Sequence, residues 1–400
     1  MTPRLASLWV LLPIVGLMTG CPDVTAAGFT CSETYQCPGR FVCGSSGHCE
    51  ASCTTGETLV NGMCALAADG GLGADGGGSG DGGNLPDGGP LPDAGPVDGG
   101  TVAAVSSWQS LTPATSPPPR SLLAMAYDSA ESATVLFGGD SGGGQLGDTW
   151  TFNGTTWAQP MPTANPPARE GHAMAYDSKR SRVVLFGGES TTTGNLVPLA
   201  DTWEWDGTNW TQIMPTTSPP ARYVHSMAYD PVRGVTVMFG GYATGYLGDT
   251  WLWNGTTWSR SSSTTSPPAR DEQAMAFDTA HGVTVMFGGQ NGSPLNDTWT
   301  FDGMNWTQKS PVTSADAQAQ SAMAFDAMGH QLVLFGWQST TDNTWAWNGG
   351  NWGNVTPAVS PTDRTGPAMV YDVGHTEFVL FGGGGNNGGL NDTWVLPSMP

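Results

Sequence analysis

Ala173-Met-Ala-Tyr-Asp177, Val183-Val-Leu-Phe-Gly-Gly188, Asp201-Thr-Trp-Glu-Trp205 and, beyond Asp206-Gly207, Trp210 make up one unit of a pattern that the chain repeats six times between Arg120 and Trp394. β-Branched and aromatic residues come in runs of four to six bounded by Gly, Asn, Asp and Pro, which reads as short strands and requires no helix. The first glycine of each pair falls at Gly138, Gly187, Gly240, Gly288, Gly336 and Gly382, a period of 46 to 53 residues. That is the length of a four-stranded blade. Asn153-Gly154, Asp206-Gly207, Asn254-Gly255, Asp302-Gly303 and Asn348-Gly349 each place an Asx-Gly pair between the last two strands. Such pairs supply the positive φ angles of a tight hairpin.

The double glycine ending the second strand, the aromatic of the third and the Trp of the fourth resemble the kelch repeat over roughly residues 106–400. The resemblance implies an all-β, six-bladed propeller. The sixth copy stops at Leu396 without a fourth strand, and the missing strand lies upstream. Trp108, within Val105 to Leu111, precedes the first inner strand by the distance that separates Trp157, Trp210, Trp258, Trp306 and Trp352 from theirs. An N-terminal strand is therefore expected to complete the last blade and remove the open edge.

Twelve of the 17 tryptophans recur once per blade, on the third or the fourth strand, and read as packing between blades rather than a sugar-binding surface. Trp337 is different. It replaces the second glycine of the fifth blade, so the repeat does not explain it.

Ahead of the propeller, Arg4 precedes an apolar run from Leu5 to Met18, too short to span a membrane, and residues 1–20 read as a signal peptide. Leu17-Met18-Thr19-Gly20-Cys21 resembles a bacterial lipobox. That resemblance implies lipid modification of Cys21, a membrane anchor and, with Pro22 following, an outer-membrane lipoprotein of the bacterial cell envelope, facing the periplasm or the surface. The remaining cysteines, Cys31, Cys37, Cys43, Cys49, Cys53 and Cys64, are even in number and confined to residues 21–64. Three disulfides are expected, in a connectivity the sequence leaves open; without a Cys-x-x-Cys pair, and with His48 the one nearby imidazole, a metal site is disfavoured. Residues 65–105 are mostly Gly, Asp, Pro, Ala and Leu, a charged flexible tether.

The formal charge of −21 argues against nucleic-acid binding. No Ser-His-Asp order, phosphate loop or metal-spaced histidine cluster is present, and His281, His330 and His375 fall in separate blades. Copper chemistry of the galactose oxidase kind needs a cysteine in the propeller, and none follows Cys64. No cofactor, metal or catalytic residue is expected, and the protein is expected to be a monomer.

Two features point to binding. Arg120, Arg169, Arg222, Arg270 and Arg364 each precede an inner strand, and a ring of them would suit an acidic ligand. Asp148, Asp201, Asp249, Asp297 and Asp392 recur on the same face, and blade five loses both charges together, with Gln318 and Asn343 at the two positions. Pairing within a blade explains that joint loss. The second feature is the loops after the double glycines, which differ in every blade. Tyr242, Tyr246, Trp337 and the unshared His172 and His225 join Arg169, Arg222, Arg270 and Arg364 as candidate contacts for a protein or glycan ligand. The alternative is an enzyme similar to the kelch-type sialic acid mutarotases, using Arg and His near the channel.

Overall fold

The computed structural model describes residues 41–43, 49–51, 57–60, 63–66 and 107–399, apart from 193, 337–343 and 386–387. The chain divides into two units, Met1–Gly95 and Pro96–Pro400. In the first, Phe41–Cys43 pairs antiparallel with Cys49–Ala51, and Glu57–Val60 pairs with Met63–Leu66. The signal peptide, Cys21, Cys31, Cys37, Cys53 and the tether beyond Leu66 lie outside the described residues.

The second unit is a closed ring of six four-stranded antiparallel sheets, and no described residue is helical. Blade two runs Ala173–Asp177, Arg182–Phe186, Thr202–Trp205 and Trp210–Ile213 from the axis outward. The inner strands of the others are Ala124–Asp128, Ser226–Asp230, Ala274–Asp278, Ala322–Asp326 and Ala368–Asp372. In the last blade Thr393–Pro397 pairs with Gln109–Leu111, with Trp394 opposite Ser110, so the N-terminal strand closes the ring as the sequence predicts.

Alternation along each strand puts side chains on both faces of a sheet that is sandwiched between neighbours, which is why the second strands are buried throughout their last four residues. The fourth-strand tryptophans bind one blade to the one before. Each lies 5.0–5.5 Å from the Phe that ends the second strand there. Each also donates its indole N–H to the Thr that opens the third strand of that blade, as in Trp157 to Thr393 at 2.9 Å and Trp108 to Thr344 at 3.2 Å. Full burial of an indole contributes up to about 4 kcal/mol from area alone, and the polar N–H is not left orphaned.

The Asx-Gly hairpins have a second reason for glycine. A Cβ at Gly303 would lie 2.1 Å from the Arg233 side chain, and one at Gly154 would lie 2.3 Å from the His375 ring, because a turn residue of the preceding blade lies across each hairpin. Along the axis, the Met-Ala pairs of the inner strands line an apolar channel with a cavity of about 220 Å³. At its turn end, the Asp closing each inner strand is buried and caps the next turn; Asp177, for instance, accepts the amides of Lys179 and Arg180 at 3.1 Å.

Candidate functional site

The opposite end, here the loop face, carries the arginines, the segments after the double glycines and the starts of the inner strands. The five arginines are 0–1% exposed. Arg169 uses both terminal nitrogens on the Asp201 carboxylate, each at 2.7 Å, while Nη1 also donates to the Gly187 carbonyl at 2.8 Å and Nε to that of Pro167 at 3.0 Å. The same forks join Arg120 to Asp148, Arg222 to Asp249, Arg270 to Asp297 and Arg364 to Asp392. The indole of Trp203 adds a third donor to Asp201 at 2.7 Å. Burial alone would raise the Asp201 carboxyl, but the hydrogen bonds and charge of Arg169 outweigh it and hold it below the usual carboxylate range. These forks correct the expectation that Arg169, Arg222, Arg270 and Arg364 contact a ligand. They are sealed into the blades by aspartates, which is the pairing alternative raised by blade five. There Gln318 is buried and accepts from Ser321 Oγ at 2.8 Å, and Asn343 lies outside the described residues.

Two residues beyond each of these positions the backbones meet at the axis. Leu122, Gly171, Val224, Glu272, Gln320 and Gly366 each donate the amide to the carbonyl of the counterpart in the preceding blade, at 2.6–3.1 Å, and the six bonds close a circle. All six residues have φ between 47° and 62°, the left-handed region. Only two are glycine, so the sequence gives no sign of this ring. Held there, Val224 and Glu272 are strained conformers that the surrounding bonds enforce.

The ring sets the next residue of each blade around an axial cavity of about 140 Å³, lined among others by His172, His225, Glu272, Gln273, Gln320 and Ser321. His172 and His225 are 5% exposed, and each packs its edge on a Phe ring, Phe137 and Phe186, at 5.6 Å. Burial, followed by the Arg169 charge, depresses the His172 pKa to about 3, and His225 is lowered well below its ordinary value for the same kind of reason. Both are neutral. Neither ring makes a hydrogen bond of ordinary geometry, although the Phe137 and Phe186 carbonyls beside them favour a proton. Gln273, 3% exposed at the same position of blade four, donates Nε2 to the Phe239 carbonyl at 2.8 Å and leaves Oε1 without a partner.

Around the cavity the face is asymmetric. Blade two contributes Glu170 and Glu189, blade three Tyr223, Tyr242 and Tyr246, and blade four Asp271 and Glu272. The tyrosines form a chain, Tyr223 to Tyr242 at 5.8 Å and Tyr242 to Tyr246 at 5.3 Å between ring centres. Burial, then the charges of Glu189, Tyr242, Asp271 and Glu272, raises the Tyr223 phenol, which places that ring between the two acidic pairs. Glu170 accepts from Gln145 Nε2 at 2.9 Å, and Glu272 accepts from Gln290 Nε2 at 2.8 Å and from Gln320 Nε2. Among the described residues, none of the four carboxylates pairs with Arg, Lys or His. Burial and then the neighbouring carboxylate push Glu189 and Asp271 up to about 7. Sequence reasoning found Tyr242, Tyr246, His172 and His225 because they break the repeat. Glu170, Glu189, Asp271 and Glu272 break it equally, but as single acidic residues in a chain of 34 they carry no signal of their own.

Trp337 lies outside the described residues. His281 and His375 each bond the Asp of their own blade, at 2.8 and 2.9 Å, and no described group of His, Cys, Asp and Glu is arranged to hold a metal ion.

Fold and face define a propeller that presents irregular loops on a regular frame. The family description KLHDC2/KLHL20/DRC7 Kelch-repeats domain matches residues 154–337. Among solved structures, YjhT is similar in fold, with a TM-score of 0.55 at 13% identity over 72% of this chain and 97% of that chain. No curated protein matches the sequence. The second unit is a kelch-repeat β-propeller.

Proposed function

We propose that this chain is a lipid-anchored binding protein of the bacterial cell envelope whose propeller presents its loop face to a protein or glycan ligand. One observation carries the reading. Blades two to four replace repeat residues on that face with a contiguous set of carboxylates, glutamines and tyrosines, while the frame beneath stays regular. Departures from a repeat on one face of a rigid scaffold are where recognition is placed, and tyrosine supplies large contact area at low entropic cost. The arginines that a mutarotase-like reaction would draw on are sealed against aspartates, which favours binding over that alternative. A glycan array and a pull-down from envelope extract, run with the full chain and with Tyr242→Ala/Tyr246→Ala, test the reading. Loss of a ligand in the double variant supports it. Retention of every ligand by that variant sinks it.

A further inference from the structure

The buried polar atoms around the axial cavity share one need. Gln273 Oε1 is an acceptor without a donor, and the neutral rings of His172 and His225 each keep a lone pair that meets no donor. Gln273 and both histidines line the cavity together with Glu272, and all three are at least nine-tenths buried. Unsatisfied buried acceptors are costly, and a group that donates several hydrogen bonds and accepts none would relieve them. The charge is also one-sided: among the described residues, Glu170, Glu189, Asp271 and Glu272 have no cationic partner. A chelated metal ion is not what they fit, since the described carboxylates do not converge as metal ligands.

Taken together, unpaired acceptors and the Glu272 carboxylate in the lining, with Glu170, Tyr223 and Asp271 next to lining residues in the chain, match an organic cation. We propose that the axial cavity of the loop face receives a primary ammonium group on an alkyl stem, the chemistry shared by a lysine side chain and a small alkylamine. An ammonium has three donors and no acceptor, and the tyrosine faces suit its charge. The cavity of about 140 Å³ holds such a head and its first methylenes. This assignment rests on the binding reading above and gives it a ligand class of the sign opposite to the one an arginine ring would select.

The test is a calorimetric titration of the full chain at pH 8 and fixed ionic strength with n-butylammonium, with N-butylacetamide as the uncharged counterpart and with Nα-acetyl-lysine amide as the peptide-derived form. Butylammonium should bind at least about tenfold more tightly than the acetamide, the difference expected for a hydrogen bond to a charged group. Glu272→Gln should weaken the ammonium by a similar factor. His225→Leu should weaken it too while preserving the fold, because Leu123 already occupies that position in blade one. Tighter binding of the lysine amide than of butylammonium assigns the site to a protein-borne lysine, and the reverse order to a free amine. Equal binding of butylammonium and the acetamide, no binding of either, or full ammonium affinity in Glu272→Gln overturns the proposal. If glycan or protein capture still depends on Tyr242 and Tyr246 in that event, the binding reading survives it; if the Tyr242→Ala/Tyr246→Ala variant retains every ligand as well, both fall.

Discussion

Arg169 crosses blade two to hold both carboxylate oxygens of Asp201 at 2.7 Å, and the same fork recurs in four other blades, so a charged pair does the work that a backbone turn would otherwise leave open. The guanidinium has no exposed surface and spends four of its donors within the blade. Removing one partner strands the other in a buried site. Arg169→Gln and Asp201→Asn should each destabilise the propeller by about 3 kcal/mol, and the double variant should cost clearly less than their sum. Blade five, with Gln318 in this position, shows that an amide is tolerated there. A double-mutant cycle by urea denaturation checks it, and additive effects near zero would refute pairing as a source of stability.

Closure depends on Trp108 in the same way. Its ring lies 5.5 Å from Phe335, its N–H bonds Thr344 across the blade boundary, and Gln109–Leu111 covers the edge of Thr393–Pro397. Trp108→Ala should cost about 3–5 kcal/mol. A chain beginning at Pro113 should melt much lower than one beginning at Thr101, or aggregate through the bared strand. Equal melting temperatures would show that the last blade does not need this strand.

Most of the frame was legible because it repeats. Strand order, closure by Trp108 and the packing role of the tryptophans all follow from a period that six copies state independently. The loop face was only partly legible. Its arginines and aspartates are as periodic as the tryptophans, and regular spacing is itself the sign of a structural role. The residues that define the candidate site, Glu170, Glu189, Tyr223, Asp271 and Glu272, are spread over about a hundred positions and meet only because the blades turn about one axis. The left-handed backbone ring was invisible for a related reason: Leu122, Val224, Glu272 and Gln320 are not residues that announce a positive φ.

The double glycines separate conformational need from space. Gly187 and Gly194 both have positive φ, 62° and 86°, so alanine is strained at either. At Gly187 a Cβ would also lie 2.6 Å from the Arg222 carbonyl of the next blade, whereas nothing lies within 4 Å at Gly194. Gly194→Ala should cost about 1 kcal/mol and Gly187→Ala several times that. Similar losses in thermal unfolding would mean that blade spacing adjusts freely and that the second requirement is absent.

The acidic arc gives stability a pH dependence opposite in direction to that of the ion pairs. Asp271, beside Glu272, titrates at about 7 in the fold against an ordinary 3.8, and Glu189, beside Glu170, at about 7 against 4.5. Between roughly pH 4 and 7 the folded chain therefore keeps protons that the unfolded chain has released, so stability falls as pH rises through this window and levels off above it. Asp201 and its counterparts are shifted down, so their contribution is present above about pH 4 and is lost on further acidification. His172 and His225 act against the raised carboxyls in the same window, because they stay neutral in the fold while the unfolded chain protonates them below about pH 6.5, so the carboxyl contribution is read from a variant rather than from the parent curve alone. Asp271→Asn removes one of the raised groups: it should leave the urea midpoint unchanged at pH 4, raise it at pH 8 and flatten the slope between. The comparison of variant and parent isolates this site from the general self-repulsion of a chain with a formal charge of −21. An identical slope in the two proteins would show that the Asp271 carboxylate is relaxed by solvent in the fold and that its burial beside Glu272 carries no energetic penalty.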